Sequence, residues 1–355
     1  MSPFSGIAVL CFLSAVLFLL PLVPGILELR QKNDAQPLTV VQQHAGEIRF
    51  FADGFRSYLK GLQPILELCS KVGETTFGVM PDGTEYIVLA GGDSALQLPR
   101  TEPSHSCELM IASASDLVLP SDMQFSKDLY AVGSLIGGEN DIYRAALAEK
   151  DIYLGQNSTV MRWIHAAGQV RVSQGCRLYG RVSSDQGISL NQDCSFLRLN
   201  APFIATESAD VSPGAADSEF STMSGPVPPR TLHDGDLEIP DGQELHGNLV
   251  VRGKLRVGNG TRIHGSVKSE KELVLGSNVQ IEGSLMSGTS IQIGSGCRVH
   301  GPVIAEHSMQ VQSGAHCGNS HSPTTVSAPE IELESGVIVW GTLWAREQGR
   351  VVRSA

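Results

Sequence analysis

GDLEIPDGQELHGNLVVRGKLRVGNGTRIHGSVKSEKELVLGSNVQIEGSLMSG, residues 235–288, decides the fold. It repeats one pattern: apolar-x-apolar, a polar turn, then apolar-x-Gly-x-apolar. The pattern starts at Leu237, restarts every 18 residues at Leu255, Leu273, Ile291 and Met309, and once more at Ile331 after 22. A fixed period near 20 residues is the signature of a solenoid, in which each repeat forms one coil and buries its apolar side against its neighbours.

Stacked coil on coil, the repeats give columns of constant chemistry. Ile239, Val257, Leu275, Ile293, Val311 and Leu333 form the second apolar column. Leu245, Ile263, Ile281, Val299, Cys317 and Val339 form the third. Apolar residues two apart with a polar one between them indicate short strands rather than helices. Gly247, Gly265, Gly283, Gly301 and Gly341 recur at one place, with Asn319 replacing glycine once, as a bend or a close backbone approach requires. Leu249, Val267, Leu285, Val303 and Leu343 follow, with His321 interrupting. Eighteen divides into three sixes, so the expected architecture is all-β: a triangular β-helix with about 18 residues per coil and inward ladders spaced about 4.8 Å apart. An antiparallel sandwich is the other reading, but it has no need of side chains that repeat in register.

The same phase runs earlier in the chain. Ile152, Val170 and Ile188 match the first column, Leu154, Val172 and Leu190 the second, and Val160, Leu178 and Phe196 the third. Ile136 and Ile142 extend the pattern back one coil. The expected layout is a first solenoid block over 134–203, a linker rich in Ser, Ala, Pro and Gly over 204–236, and a second block over 237–347.

Gly6 to Leu27 contains no charged side chain, long enough for a bilayer-crossing helix. Residues 1–30 therefore read as an uncleaved transmembrane anchor, with a cleaved signal peptide as the alternative. Arg30 and Lys32 flank only its C-terminal side, which places the body in the cytoplasm, at the inner membrane. Val41, Ala45, Ile48, Phe51, Phe55, Leu59 and Leu62 recur at helical spacing, giving a helical segment over 31–70. Residues 71–133 read as short strands, a small domain or a cap, so a small α/β segment precedes the solenoid.

The net charge of −11 argues against nucleic acid as a partner. Seven cysteines without close pairs fit a reducing compartment. Cys176 and Cys194 lie one period apart, either as small inward residues or as a redox pair. No catalytic signature such as G-x-S-x-G, a P-loop, C-x-x-C or H-E-x-x-H is present. The sequence implies no enzyme, no cofactor and no metal, with two features to weigh. His246, His264, Glu282 and His300 form a row along successive coils, able to meet a divalent metal or an acidic surface, although parallel ligands hinder tetrahedral closure. His316, Cys317 and His321 lie near the longer repeat, where a β-helix acyltransferase would carry its histidine.

Residues 235–288 resemble bactofilins, the polymer-forming bacterial cytoskeletal family, in their alternating G-x-[LIV] and [LIV]-x-G steps. The resemblance implies a membrane-associated scaffold that polymerises end to end without nucleotide and positions envelope or polysaccharide machinery. Only REQGRVVRSA, residues 346–355, follows Ala345, too short for a capping helix. The last coil is therefore expected to be an open end, with Ile331, Leu333, Val339, Trp340, Leu343 and Trp344 as the polymerisation residues. A hexapeptide-like left-handed acyltransferase and an exported β-helix adhesin or carbohydrate-binding module are the alternative functions.

Overall fold

Each wall of the solenoid is a parallel ladder in which side chains of one column sit on their own kind. In the first block Val160, Leu178 and Phe196 are in register on one wall, Ile164, Val182 and Leu199 on the second, and Val170, Ile188 and Ile204 on the third. In the second block the corresponding rows begin Leu249–Val267–Leu285, Leu255–Leu273–Ile291 and Ile263–Ile281–Val299. These residues are buried and form one continuous core. Each aliphatic side chain so buried contributes about 1.5–3 kcal/mol. The computed structural model describes residues 13–14, 20, 49–91, 98, 105–207 and 229–353. Among these the strands join in a single 31-stranded sheet of about 12 turns.

The first block begins earlier than the sequence pattern indicates. Glu85–Leu89 already pairs in parallel with Met110–Ser113, and Ser106–Cys107 with Gln124–Phe125. Its outer end carries a hairpin, Thr76–Val79 antiparallel to Glu85–Leu89. One register also differs from the expectation. Leu135 pairs with Ile152 and Tyr143 with Val160, both offsets being 17 residues. A slip of one residue exchanges the two sides of a strand, so Leu135 and Tyr143 point inward while Ile136 and Ile142 are exposed.

The corners also correct the glycine reading. The left-handed bend recurs at Asp122, Asn140, Asn157, Gly175 and Asp193, then at Gly242, Gly260, Asn278, Gly296, Gly314 and Gly336, with φ between 56° and 77°. Gly, Asn and Asp are the residues that adopt this conformation most readily. Of the five glycines named from the sequence, only Gly247 and Gly341 have positive φ, 110° and 109°. At Gly283 and Gly301 the cause is proximity: a Cβ would lie 2.6 Å from the backbone of the glycine one coil below. The residue after the left-handed bend turns inward and carries a donor that locks the corner. Cys176 Sγ, Cys194 Sγ and Cys297 Sγ donate to the carbonyls of Gly155, Ser173 and Gly276 at 3.0–3.1 Å, as Thr261 Oγ1 does to Pro240.

Helices α1 (Phe50–Tyr58) and α2 (Gln63–Val72) lie along the outside of the first block. A 3₁₀ turn, Leu59–Leu62, joins them because Pro64 cannot donate to the preceding turn. Gly73, at φ 77°, ends α2 and donates to Cys69 O. The single helix expected over 31–70 is thus broken, reaches Val72, and lies outside the described residues before Arg49. Phe55, Leu59, Leu62 and Leu66 pack on Val88, Ala112, Tyr130, Leu147 and Trp163, the outward residues of one wall. That wall is buried on both sides, so its strands read as unbroken apolar runs such as Tyr86–Leu89. Arg56 makes a two-pronged ion pair with Glu149, 3.0 Å at each prong.

The anchor expected over 1–30 falls almost wholly outside the described residues. Among the described residues no helix is long and apolar enough to cross a membrane. The linker expected over 204–236 is shorter: Ile204–Thr206 and Arg230–His233 belong to strands, and 208–228 lies outside the described residues.

Candidate functional site

The two blocks meet where an open end was expected. Ser195–Thr206, the last coil of the first block, pairs antiparallel with Ile338–Val351, the last coil of the second. The seal closes all three walls, with Phe196 opposite Gly349, Leu199 opposite Leu343, and Ile204 opposite Val339. Thr206 N donates to Val337 O and Val351 N to Cys194 O, at 3.0 and 2.9 Å. Outside the core, Arg198 lies 5.0 Å over the Trp344 ring, and Phe203 meets Trp340 edge-on at 6.1 Å. Ile331, Leu333, Val339, Trp340 and Leu343 are consequently buried within the chain, and Trp344 stands on the side of the rod. None of the six presents a free coil end. The tail 346–351 is not a loose extension but completes the last coil, Ile331–Leu333 pairing with Gly349–Val351.

The open end lies instead at the start of the second block. Arg230–His233, Leu237–Ile239 and Glu244–His246 each pair with the next coil only, among the described residues. Three unpaired strand edges therefore frame a slice of core. Leu237 and Leu245 are half-buried there, whereas Leu255 and Ile263, one coil inward, are fully buried. The sequence could not separate this end from the other, because both have the same columns and differ only in what is stacked on them.

On the outer side of this coil the histidine row condenses into a cluster. His246 and His264 stack with ring centroids 4.5 Å apart and planes within 7°. His264 Nδ1 faces Glu282 Oε1 at 2.7 Å and its Nε2 faces Glu244 Oε1 at 2.8 Å. Hydrogen bonding to Glu244, and then to Glu282, pushes His264 above the usual imidazole range. Its stabilisation of the end coil is present below pH about 6.5 and is lost as pH rises through the raised value. The His264 ring titration, followed by NMR, is expected to have its midpoint above 6.5 and to fall in Glu244→Gln. An unchanged midpoint in that variant would remove the ion triad. His300, further along the row, is lowered by burial.

The remaining candidates do not converge. Burial lowers His316 and pushes the Cys317 thiol up to about 12, so Cys317 is not a thiolate near neutrality. His321 lies in the four-residue insertion, where Asn319 Oδ1 accepts from the backbone N–H of His321 and Ser322 at 3.0 and 2.7 Å. Val326, not His321, continues the inward column beside Val303. Cys176 and Cys194 are both buried free thiols, and the sulfur–sulfur hydrogen bond, then burial, pushes Cys176 upward. A cleft of about 480 Å³ between α1 and the wall is lined by Phe51, Phe55, Trp163, Lys127, Arg144 and Arg162.

The fold and its free end define the class as a two-block β-solenoid whose blocks join at their C-terminal coils. Comparison with protein-family models, curated proteins and solved structures finds no match.

Proposed function

We propose that this chain is a non-catalytic, bactofilin-like scaffold that associates with a second copy through the free coil at Arg230–His246, anchored at the inner membrane by residues 6–27. The observation that carries the reading is the triangle of unpaired strand edges around a partly exposed slice of core. Open strand edges are templates for pairing, and this chain already closes one coil end with another, antiparallel, at its own junction. The same geometry applied between two copies would bury Leu237 and Leu245. The charge-free run at 6–27, with Arg30 and Lys32 after it, supports the anchor and a cytoplasmic solenoid. The likeness of residues 235–288 to bactofilins supports the scaffold role and, through it, envelope or polysaccharide machinery as partners.

The test is the oligomeric state of the full chain in detergent, by sedimentation velocity and electron microscopy. Dimers of end-to-end rods are expected, dissociating when Leu245→Glu places a charge in the facing core. A strictly monomeric wild type at high concentration overturns the reading, as does a Leu245→Glu variant that associates unchanged.

A further inference from the structure

We propose that Glu244, His246 and His264 form a binding site for a divalent transition-metal ion of the zinc type. The three residues stand on the last two coils of the free end, and one ligand atom from each lies within 4.8 Å of the other two. Two imidazoles and a carboxylate are a ligand set that zinc accepts, with a fourth position left for water.

The orientation of His264 is the most specific observation. Its Nδ1 is held by Glu282 at 2.7 Å, and its Nε2 points at Glu244, the intended partner ligand. A carboxylate behind one ring nitrogen fixes the tautomer and raises the basicity of the other, the usual arrangement behind a metal-bound imidazole. The proton between His264 Nε2 and Glu244 Oε1 stands where the metal would be. Binding exchanges it for the ion: two N–metal bonds and one O–metal bond form, and the displaced proton passes to solvent.

The rearrangement required is small. Ligand atoms around tetrahedral zinc, with bonds of about 2.05 Å, are roughly 3.4 Å apart, whereas the two stacked rings are 4.5 Å apart. His246 and Glu244 are exposed and can turn about their side-chain torsions without disturbing the core. His300, two coils beyond His264, lies outside the set. The obstacle visible in the sequence, that residues of one column hold ligands parallel, is removed by Glu244. It comes from a different column, two residues before His246, and approaches from the side.

The site is separable from the association proposed above, since the metal binds one chain. Metal-free full chain in detergent is titrated with ZnCl₂ by calorimetry and with CoCl₂ by visible absorbance. One ion per chain is expected, in the micromolar range, with the absorption bands of a tetrahedral cobalt centre. His246→Ala and His264→Ala are expected to weaken binding at least tenfold. Glu282→Gln, which touches no metal, is expected to weaken it about 10- to 100-fold, and His300→Gln to leave it unchanged. Circular dichroism checks that each variant keeps its coils. Absence of binding by the wild type, or equal binding by folded His246→Ala and His264→Ala, overturns the site. Metal binding that persists in monomeric Leu245→Glu leaves the site standing if the association fails.

Discussion

Leu343→Asp is expected to open the molecule at its middle. Leu343 is fully buried and faces Leu199, also fully buried, across the antiparallel seam. Removing a buried leucine costs about 2–5 kcal/mol, and a carboxylate left there without a partner adds several more. Domains are stable by only about 5–15 kcal/mol, so the change removes a large share of that margin. The loss is expected to be local first, because the other coils keep their own ladders. Hydrogen exchange should rise over Ser195–Thr206 and Ile338–Val351 together, while Ile152–Leu154 and Leu273–Leu275 stay protected. Leu237→Asp, at the half-buried free end, should cost far less. Equal damage from the two substitutions, or rapid exchange confined to one of the two seam strands, would show that the ends are not joined as described.

Phe55→Ala has the second largest expected effect. Phe55 is buried under α1 and meets the Trp163 ring edge-on at 5.6 Å. Its truncation should cost about 3–5 kcal/mol, taken almost wholly from the docking of α1 and α2. The solenoid under them holds its own inward core, so the expected result is selective. Proteolysis should cut within 49–72 while the coils from Ser106 onward resist, and Tyr130 and Leu147 should become accessible. Simultaneous collapse of the coils would mean that the helices are integral to the solenoid. Arg56→Ala should act in the same direction but more weakly, since its pair with Glu149 is partly exposed.

The parts legible in the sequence were those set by near neighbours in the repeat. Leu255, Leu273 and Ile291 had to point inward together because each stacks on its own column. The inward cysteines were legible for the same reason. The left-handed corners were present in the spelling as Gly, Asn or Asp at a fixed place, but the more regular I-x-G glycines drew attention from them. Ile136 and Ile142 were misplaced because a 17-residue coil inverts parity, and two apolar residues in succession hide the slip. The burial of one wall under α1 was marked only by runs such as Tyr86–Leu89, where alternation fails. Glu244 was missed beside His246 and His264 because it belongs to another column, and its approach to His264 depends on side-chain direction rather than period.

By itself the sequence determined the coil: its length, its inward ladders, its corners, and the existence of two blocks. Those are local choices, repeated until each is supported by the same choice one coil away. Only the tertiary structure decided which end of which block is open. An 18-residue pattern has no mark that tells a first coil from a last, and the antiparallel seam joins strands more than 130 residues apart. That seam, set by the fit of Phe196 to Gly349 and Leu199 to Leu343, moved the free end from Trp340 and Trp344 to Leu237, Leu245 and the histidine cluster beside them.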